Sequence, residues 1–179
     1  MKRAVFLDRD GVINANLERN GRPVAPTTLA EFQFLPGVVE SVQRLKQGGY
    51  LIVVITNQPD VADGRTARST VDAMHDLVRS KLAVDDIRVC FHRDTEGCAC
   101  RKPKPGMILD AASDYGIDLA RSYVVGDRWR DVAAGRAAGC MTFFVDYGYK
   151  QDGPNVPDKV VKSLLEAAAL ILGKNLGKD

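Results

Sequence analysis

Short apolar runs alternate with helical patterns along the whole chain, and this alternation constrains the fold more than any other feature. The runs are rich in valine, isoleucine and phenylalanine and lie at 4–7, 51–56, 87–91, 122–126 and 142–145. Runs of this kind suit strands that are buried on both faces. Apolar residues spaced three or four positions apart predict helices at 37–48, 66–82, 105–116, 129–138 and 157–172.

Strands separated by helices predict an α/β fold, a Rossmann-like doubly wound parallel sheet with helices on both faces. With 179 residues, the chain is long enough for one well-buried domain and too short for two ordinary ones. We therefore predict a single domain over residues 1–179.

The composition argues against two classes of partner. The formal net charge of +2 gives no field that would attract nucleic acid. No segment reaches the roughly eighteen unbroken apolar residues of a membrane span. Acids interrupt the amino-terminal stretch "MKRAVFLDRDGV", so it predicts a strand and a loop rather than a signal peptide. We expect a monomeric, cytoplasmic protein with no nucleic-acid or membrane partner.

Polar side chains follow the predicted strands at the points where the strands end. In chain order they are Asp8, Asp10, Thr56, Asn57, Arg101, Lys102 and Asp127. The carboxyl ends of parallel strands meet at one edge of a sheet, and open α/β sheets bind their ligands there. The sequence therefore predicts that these groups converge on one site.

Two carboxylates stand two positions apart in "FLDRDGV". Asp8 could act as a nucleophile, while Asp10 could protonate a leaving group and then activate water. Acids this close repel each other, so a divalent cation would be needed to keep at least one of them ionised. Taken alone, the pair is more often two solvated turn acids, and only the other motifs favour catalysis.

The stretch "GDRWRDVAAG" supplies two more acids. With Asp8 and Asp10, Asp127 would complete an oxygen-ligand site for Mg2+. Asp131 stands at the start of a predicted helix, where an acid also stabilises the helix dipole. The sequence leaves open whether Asp131 touches the metal.

Three side chains could bind phosphoryl oxygens at this edge. Thr56 offers a hydroxyl, and Lys102 offers a compact positive charge. Arg101 offers a planar fork that suits a second anionic group. Each of these residues, considered alone, is more often an ordinary turn or surface residue.

A loop at 90–100 gathers four soft ligands in the pattern C-x-H-x5-C-x-C. Cys90, His92, Cys98 and Cys100 suit tetrahedral Zn2+ with no open position, which indicates a structural site. Structural zinc can order a loop that has little apolar surface. The predicted task of the zinc is to fix Arg101 and Lys102, which follow the last ligand directly.

The motifs D-x-D-G, T-N, a lysine and G-D-x-x-x-D, taken in chain order, resemble the haloacid-dehalogenase superfamily of aspartate-nucleophile phosphatases. The resemblance implies that Asp8 is the nucleophile and Asp10 the general acid and base. It assigns phosphoryl stabilisation to Thr56 and Lys102. It also implies Mg2+ at Asp8, Asp10 and Asp127, and substrate contacts from Asn57, Gln58, Arg101 and Arg128. The connections after the first two strands are short, so we predict no separate cap domain.

Within that superfamily, the cysteine loop followed by "RKPKPGM" is similar to the family of D-glycero-D-manno-heptose-1,7-bisphosphate 7-phosphatases. This implies a small phosphorylated metabolite as substrate, with heptose bisphosphate first. Histidinol-phosphate phosphatases share the loop. Pro59, Asp60, Asp63 and the segment 14–34 depart from the heptose pattern. Histidinol phosphate or another sugar phosphate therefore stays open as an alternative.

Two non-catalytic interpretations compete with the phosphatase. A zinc-stabilised binding module should carry a basic face and aromatic residues near the cysteine loop, but only Phe91 is there. A receiver-like domain would use the strand-end acids, Thr56 and Lys102. It would not need the second acid, Asp10. The motifs together favour the enzyme.

Overall fold

A six-stranded parallel sheet organises the protein, whose computed structural model describes residues 1–154 and 156–173. The strands of this sheet are β1 (Arg3–Leu7), β4 (Tyr50–Asn57), β5 (Asp86–Cys90), β6 (Tyr123–Gly126), β7 (Met141–Val145) and β8 (Lys159–Val161). Their order across the sheet is β5-β4-β1-β6-β7-β8, and every neighbouring pair is parallel. A separate antiparallel hairpin consists of β2 (Leu17–Arg19) and β3 (Arg22–Val24).

Helices cover both faces of the sheet, which confirms the predicted doubly wound architecture. They are α1 (Val38–Gln47), α2 (Pro59–Ala62), α3 (Arg68–Lys81), α4 (Gly106–Tyr115), α5 (Trp129–Ala138) and α6 (Leu164–Ile171). Alternate residues of β1 face opposite cores. Val5 and Leu7 pack in a core with residues of α1, α3 and α6, while Ala4 and Phe6 pack with residues of α4 and α5.

The sequence predicted the five long strands correctly, but it was wrong about the start of the last helix. We expected a helix over 157–172, whereas α6 begins at Leu164 and the edge strand β8 precedes it. Ser163 is the boundary, because its hydroxyl accepts a hydrogen bond from the Glu166 N–H at 3.2 Å and caps the helix. The β-branched pair Val160-Val161 pairs with β7 instead of continuing a helix.

The connections after β1 and β4 hold a hairpin and helices but no separate cap domain, as predicted. The hairpin β2–β3 lies in the first connection, and α2 and α3 lie in the second. Neither connection builds a second core among residues 1–154 and 156–173. In the same residues we find no helix with the length and hydrophobicity of a membrane span.

Candidate active site

A cavity of about 270 Å3 opens at the carboxyl ends of the central strands. Eight residues that the sequence singled out line it: Asp8, Asp10, Asn57, Arg101, Lys102, Asp127, Arg128 and Asp131. They lie directly after β1 and β6, at the end of β4, at the start of α5 and in the segment after the cysteine loop. The predicted convergence of polar groups on one edge is therefore present in the structure.

Three buried carboxylates meet at the base of the cavity. Asp8, Asp127 and Asp131 each offer an oxygen, and these oxygens lie within 4.8 Å of one another. Burial, together with the negative charge of Asp131, raises the pKa of Asp8 well above its usual value. The same two causes raise the pKa of Asp127 to about 7. The group therefore needs positive charge to stay ionised at neutral pH.

Lys102 supplies part of that charge from a buried position. Its Nζ lies 2.9 Å from Asp8 Oδ1 and 2.6 Å from Asp131 Oδ1, and it donates to the Ile55 carbonyl at 2.9 Å. Burial acts to lower the pKa of Lys102, but the two carboxylates raise it above its usual value. Two hydrogen bonds and the ion pair with Asp8 therefore hold the amino group in one place.

The carboxylate group also fits a divalent cation. Asp127 Oδ1 is buried and has no hydrogen-bond partner among the residues that the structure describes. Its other oxygen accepts from Asn16 Nδ2 at 2.8 Å. An orphaned carboxylate oxygen beside two further acids is the oxygen-rich environment that Mg2+ prefers. A side chain on Gly11 would also collide with Asp127, since its Cβ would come within 2.2 Å of Oδ2.

We predicted Asp10 as a metal ligand, but in the structure its carboxylate accepts hydrogen bonds from neighbouring side chains. Its Oδ1 accepts from Arg9 and from Asn14 Nδ2 at 3.0 Å, and its Oδ2 accepts from Gln58 Nε2 at 2.7 Å. The group of possible cation ligands contains Asp131 rather than Asp10. Asp131 is also the N3 residue of α5, where it accepts from the Arg128 N–H.

The residues after β4 support the site rather than all facing the cavity. Thr56 is fully buried, and its hydroxyl oxygen accepts from Gln58 Nε2 at 2.9 Å. Asn57 brackets the backbone of Lys102: it donates to the Lys102 carbonyl at 3.0 Å and accepts from the Lys102 N–H at 3.2 Å. Thr56 and Gln58 are absent from the cavity wall, so their predicted substrate contacts stay predictions.

The four ligands predicted from the cysteine loop do come together. Cys90 Sγ lies 3.5 Å from His92 Nδ1, 3.7 Å from Cys98 Sγ and 3.2 Å from Cys100 Sγ. A tetrahedral zinc with bonds of about 2.0–2.3 Å separates its ligand atoms by roughly 3.5–3.8 Å. Burial raises the pKa of Cys90 to about 12, so a thiolate there requires a cation beside it. The cluster fits zinc.

The cysteine loop is fastened to the cavity wall by ion pairs. Asp94 accepts from Arg101 Nε at 2.5 Å and from Arg130 NH1 at 2.8 Å, which joins the loop to α5. On the other side, Arg93 donates to Asp63 Oδ1 at 2.6 Å and to the Ala62 carbonyl. Arg101 is therefore oriented from within the loop and is only 13% exposed.

Four cations of the cavity wall are partly or fully exposed, and we call them the rim cations. They are Arg101, Arg128, Arg130 and Lys150. The sequence identified Arg101 and Arg128 but missed Arg130 and Lys150. Arg130 could have been found from its place one residue before Asp131, in the first turn of a helix that starts at the sheet edge. Lys150 lies in a segment without a motif and gave no signal.

Asp60 and Asp63 depart from the family pattern, but both are paired with arginines, so their charges do not repel an anionic ligand. Asp60 accepts from Arg65 Nε at 2.9 Å, and Asp63 pairs with Arg65 at 2.8 Å as well as with Arg93. The first turn of α2 is therefore neutralised by its own arginines. Pro59, at the N1 position of this helix, lines the cavity and leaves no backbone N–H unsatisfied there.

The sequence is similar to known proteins over most of its length. The profile of the HAD-hydrolase-like family matches residues 99–167. The chain is 37% identical over 174 residues to a D-glycero-beta-D-manno-heptose-1,7-bisphosphate 7-phosphatase of Rhodopseudomonas palustris, covering 90% of this chain and 89% of that protein. It is 40% identical over 149 residues to the protein of that name from Bordetella bronchiseptica, covering 80% of each.

The fold is similar to solved structures as well. The chain matches the crystal structure of D,D-heptose 1,7-bisphosphate phosphatase from B. bronchiseptica in complex with magnesium and phosphate, with a TM-score of 0.82 and 36% identity. The match covers 97% of this chain and 99% of that one. The corresponding enzyme from Burkholderia thailandensis gives a TM-score of 0.67 at 32% identity, with 97% and 100% coverage.

Proposed function

The chain belongs to the haloacid-dehalogenase-like phosphatases of the heptose-1,7-bisphosphate 7-phosphatase family, and on this premise we propose that it hydrolyses the 7-phosphate of D-glycero-β-D-manno-heptose 1,7-bisphosphate. One observation carries the proposal. Asp8 lies beside Lys102 and the carboxylates of Asp127 and Asp131 at the base of a cavity with a cationic mouth.

Asp8 is the proposed nucleophile. Its carboxylate attacks phosphorus, and the bond to the sugar oxygen breaks to leave an aspartyl-phosphate. Lys102, 2.9 Å from Asp8, is placed to neutralise charge on the transferring group. Thr56 keeps its predicted part in binding the phosphoryl group, with its backbone fixed in β4.

Asp10 is the proposed general acid and base. It gives a proton to the departing sugar oxygen, and it then takes a proton from the water that attacks the aspartyl-phosphate and releases inorganic phosphate. Its carboxylate lines the cavity and is held by donors from Arg9, Asn14 and Gln58. Gln58 therefore supports Asp10, in addition to its predicted contact with substrate.

We propose Mg2+ as the catalytic cofactor, held by Asp8 and Asp127. When bound, Mg2+ supplies positive charge that neutralises the phosphoryl group and the acids around it. Asp131 Oδ1 already receives the Lys102 ammonium, so its main task is to orient that lysine. Asp10 remains a predicted ligand. The orphaned Oδ1 of Asp127 supports a cation at this place.

We propose Zn2+ as a structural cofactor of the cysteine loop, bound by Cys90, His92, Cys98 and Cys100. The four ligand atoms leave no open position, which is the arrangement of a structural site. The loop ends one residue before Arg101 and two before Lys102. Zinc would therefore fix both cations in the cavity without taking part in the reaction.

The rim cations favour a substrate with a second anionic group. Arg101, Arg128, Arg130 and Lys150 line the cavity and are more exposed than Lys102 at the phosphoryl site. Asp94 and Asp127 pair with the three arginines, and Asp152 also lines the cavity, so the charge of the four cations is offset only in part. A bisphosphate offers a second phosphate to these side chains, whereas histidinol phosphate offers an ammonium group instead. This contrast supports heptose bisphosphate over the histidinol alternative.

The test is phosphate release with three substrates in the presence of Mg2+. We expect the β-anomer of heptose 1,7-bisphosphate to give the highest kcat/KM, with the monophosphate that keeps its C1 phosphate as product. Histidinol phosphate and the α-anomer are the competitors. Chelation of Mg2+ with EDTA should stop turnover, and added Mg2+ should restore it. A higher kcat/KM for histidinol phosphate would overturn the substrate assignment.

Arg101→Ala is expected to raise KM for the heptose bisphosphate about ten- to a hundredfold, because it removes a charge-assisted contact to the second phosphate. Hydrolysis of p-nitrophenyl phosphate, which has one phosphate, should change little. Steady-state kinetics on both substrates, with zinc content measured in parallel, check this.

Arg136→Ala is the matched control, since Arg136 lies in the last turn of α5 and pairs with Asp158 away from the cavity. It removes the same charge and should leave both KM values unchanged. Equal losses on both substrates in Arg101→Ala would place Arg101 at the reacting phosphoryl group instead.

We further propose that residues 1–179 act as one haloacid-dehalogenase-like domain, as a monomer in the cytoplasm. All the groups assigned to the reaction come from one chain and line one cavity, so the site needs no second copy. Light scattering of the purified protein checks the monomer directly.

A further inference from the structure

Arg9 is a fully buried cation that connects the active site with helix α3. Its Nε and NH2 donate to Asp10 Oδ1 at 3.1 and 2.9 Å, and NH2 also reaches Asp10 Oδ2 at 3.1 Å. NH1, the remaining arm, lies 3.2 Å from Nε2 of His75. The Phe32 ring packs against the guanidinium with its centroid 5.7 Å away. The guanidinium therefore has a hydrogen-bonding partner on each side, Asp10 on one and His75 on the other.

His75 accepts a hydrogen bond from Arg9. A guanidinium has donors only, so the imidazole Nε2 must be the acceptor and the neutral ring carries its proton on Nδ1. His75 is buried, and this burial, together with the charge of Arg9, lowers its pKa to about 4. The ring therefore keeps its lone pair throughout the neutral range, although Asp10 and Asp72 oppose that shift.

The backbone of Arg9 fixes the same turn. Its N–H donates to Asp8 Oδ1 at 2.7 Å, and its carbonyl accepts from the N–H groups of Ile13 at 2.8 Å and Asn14 at 3.1 Å. These bonds fix the point from which the Arg9 side chain extends, while its side-chain torsions are restrained only by the partners of the guanidinium. The acceptor on α3 then decides which way the guanidinium plane faces.

We propose that His75 is a positioning residue for Asp10, acting through Arg9. It holds the guanidinium so that two of its nitrogens face the carboxylate. Without the imidazole, NH1 would be a buried donor with no acceptor, and the guanidinium would turn to find one. The proposal rests on the proposed function, because it requires Asp10 to protonate the leaving group.

The leaving group provides a test that a loss of stability would not imitate. A sugar oxygen needs a proton as it departs, whereas p-nitrophenolate leaves without one. A misplaced Asp10 therefore slows formation of the aspartyl-phosphate from an alkyl phosphate and spares p-nitrophenyl phosphate. The ratio of kcat/KM for the two substrates reports on Asp10, since kcat/KM covers the steps up to that bond cleavage.

We expect His75→Leu to lower kcat/KM for heptose 1,7-bisphosphate roughly tenfold, part of the factor of about 10²–10⁴ that acid–base catalysis contributes. Its effect on p-nitrophenyl phosphate should stay within about twofold. His75→Gln should restore most of the loss, because its amide oxygen can take the place of Nε2 and accept from Arg9.

Val78→Ala is the control for general destabilisation, since Val78 packs in the same core from the next turn of α3. It should lower Tm and leave the substrate ratio at the wild-type value. If His75→Leu does not fold, His75→Asn replaces it. The shorter amide falls short of Arg9, so we expect the loss there and not in His75→Gln.

Four outcomes are decisive. Equal losses on both substrates in His75→Leu, or no loss, would overturn the positioning role. A glutamine variant no better than the leucine variant at equal Tm would overturn it as well. Wild-type protein that hydrolyses neither substrate would instead overturn the proposed function, so the two failures are distinguishable.

Discussion

Asp8→Asn is expected to lower phosphate release by about four orders of magnitude or more, because the amide cannot form the aspartyl-phosphate. The substitution keeps the size of the side chain and its contact with the Arg9 N–H, 2.7 Å away in the wild type. Phosphate release from heptose bisphosphate and acid-quench trapping of the phosphoenzyme measure the effect.

The same variant should fold at least as well as wild type when Mg2+ is removed. Asp8 shares a buried site with Asp127 and Asp131, so burial first, and then the repulsion between these acids, disfavours its charge. Replacing it with a neutral amide relieves that repulsion, although one partner of Lys102 is weakened. A Tm comparison in EDTA checks the fold, and Asp8→Ala excludes activity regained by deamidation. Near-normal turnover in a correctly folded variant would disprove the nucleophile assignment.

Cys98→Ser is expected to remove zinc and lower kcat about a hundredfold or more, while KM for the bisphosphate rises. A serine hydroxyl is a poor substitute for a thiolate, so the tetrahedral set would lose a ligand. The loop that carries Arg101 and Lys102 would then lose its order. Displacing Lys102 costs stabilisation of the transferring group, and single charge-stabilising groups are typically worth about 10²–10³ in rate.

Cys140→Ser is the matched control, since Cys140 is a buried cysteine outside the metal cluster. This variant should keep about one zinc per chain and near-normal kcat. Elemental analysis and kinetics on the two variants separate the effects. A zinc-free Cys98→Ser protein with wild-type kcat would show that the loop contributes stability alone.

The sequence predicted the sheet and the base of the site because both follow from local rules. Val-rich runs buried on both faces became parallel strands, and the acids directly after β1 and β6 met at their carboxyl ends. The cysteine pattern brought its four ligand atoms within 4.8 Å of one another, as its spacing indicated. For these residues, the position in the fold is set by the residues next to them in the sequence.

The rest depends on contacts between distant segments, which periodicity does not encode. Arg9 and His75 are 66 positions apart, and nothing near either one predicts the other. The hairpin β2–β3 pairs three-residue strands that are too short for a clear alternation. The strand β8 was not predicted because the helical spacing of apolar residues in "KVVKSLLEAAA" runs past Ser163 without a break. The helix α6 nevertheless begins only after Ser163, which caps it.

The two parts of the cavity occupy different kinds of structure, and this has a consequence for how such an enzyme changes over evolutionary time. Asp8 and Asp127 directly follow central strands of the sheet, whereas Arg101 and Lys150 belong to surface segments outside it. Loops tolerate substitution far better than a packed sheet does. A duplicated gene could therefore acquire a new metabolite through a few exchanges at the mouth, while the inherited chemistry below continues to work.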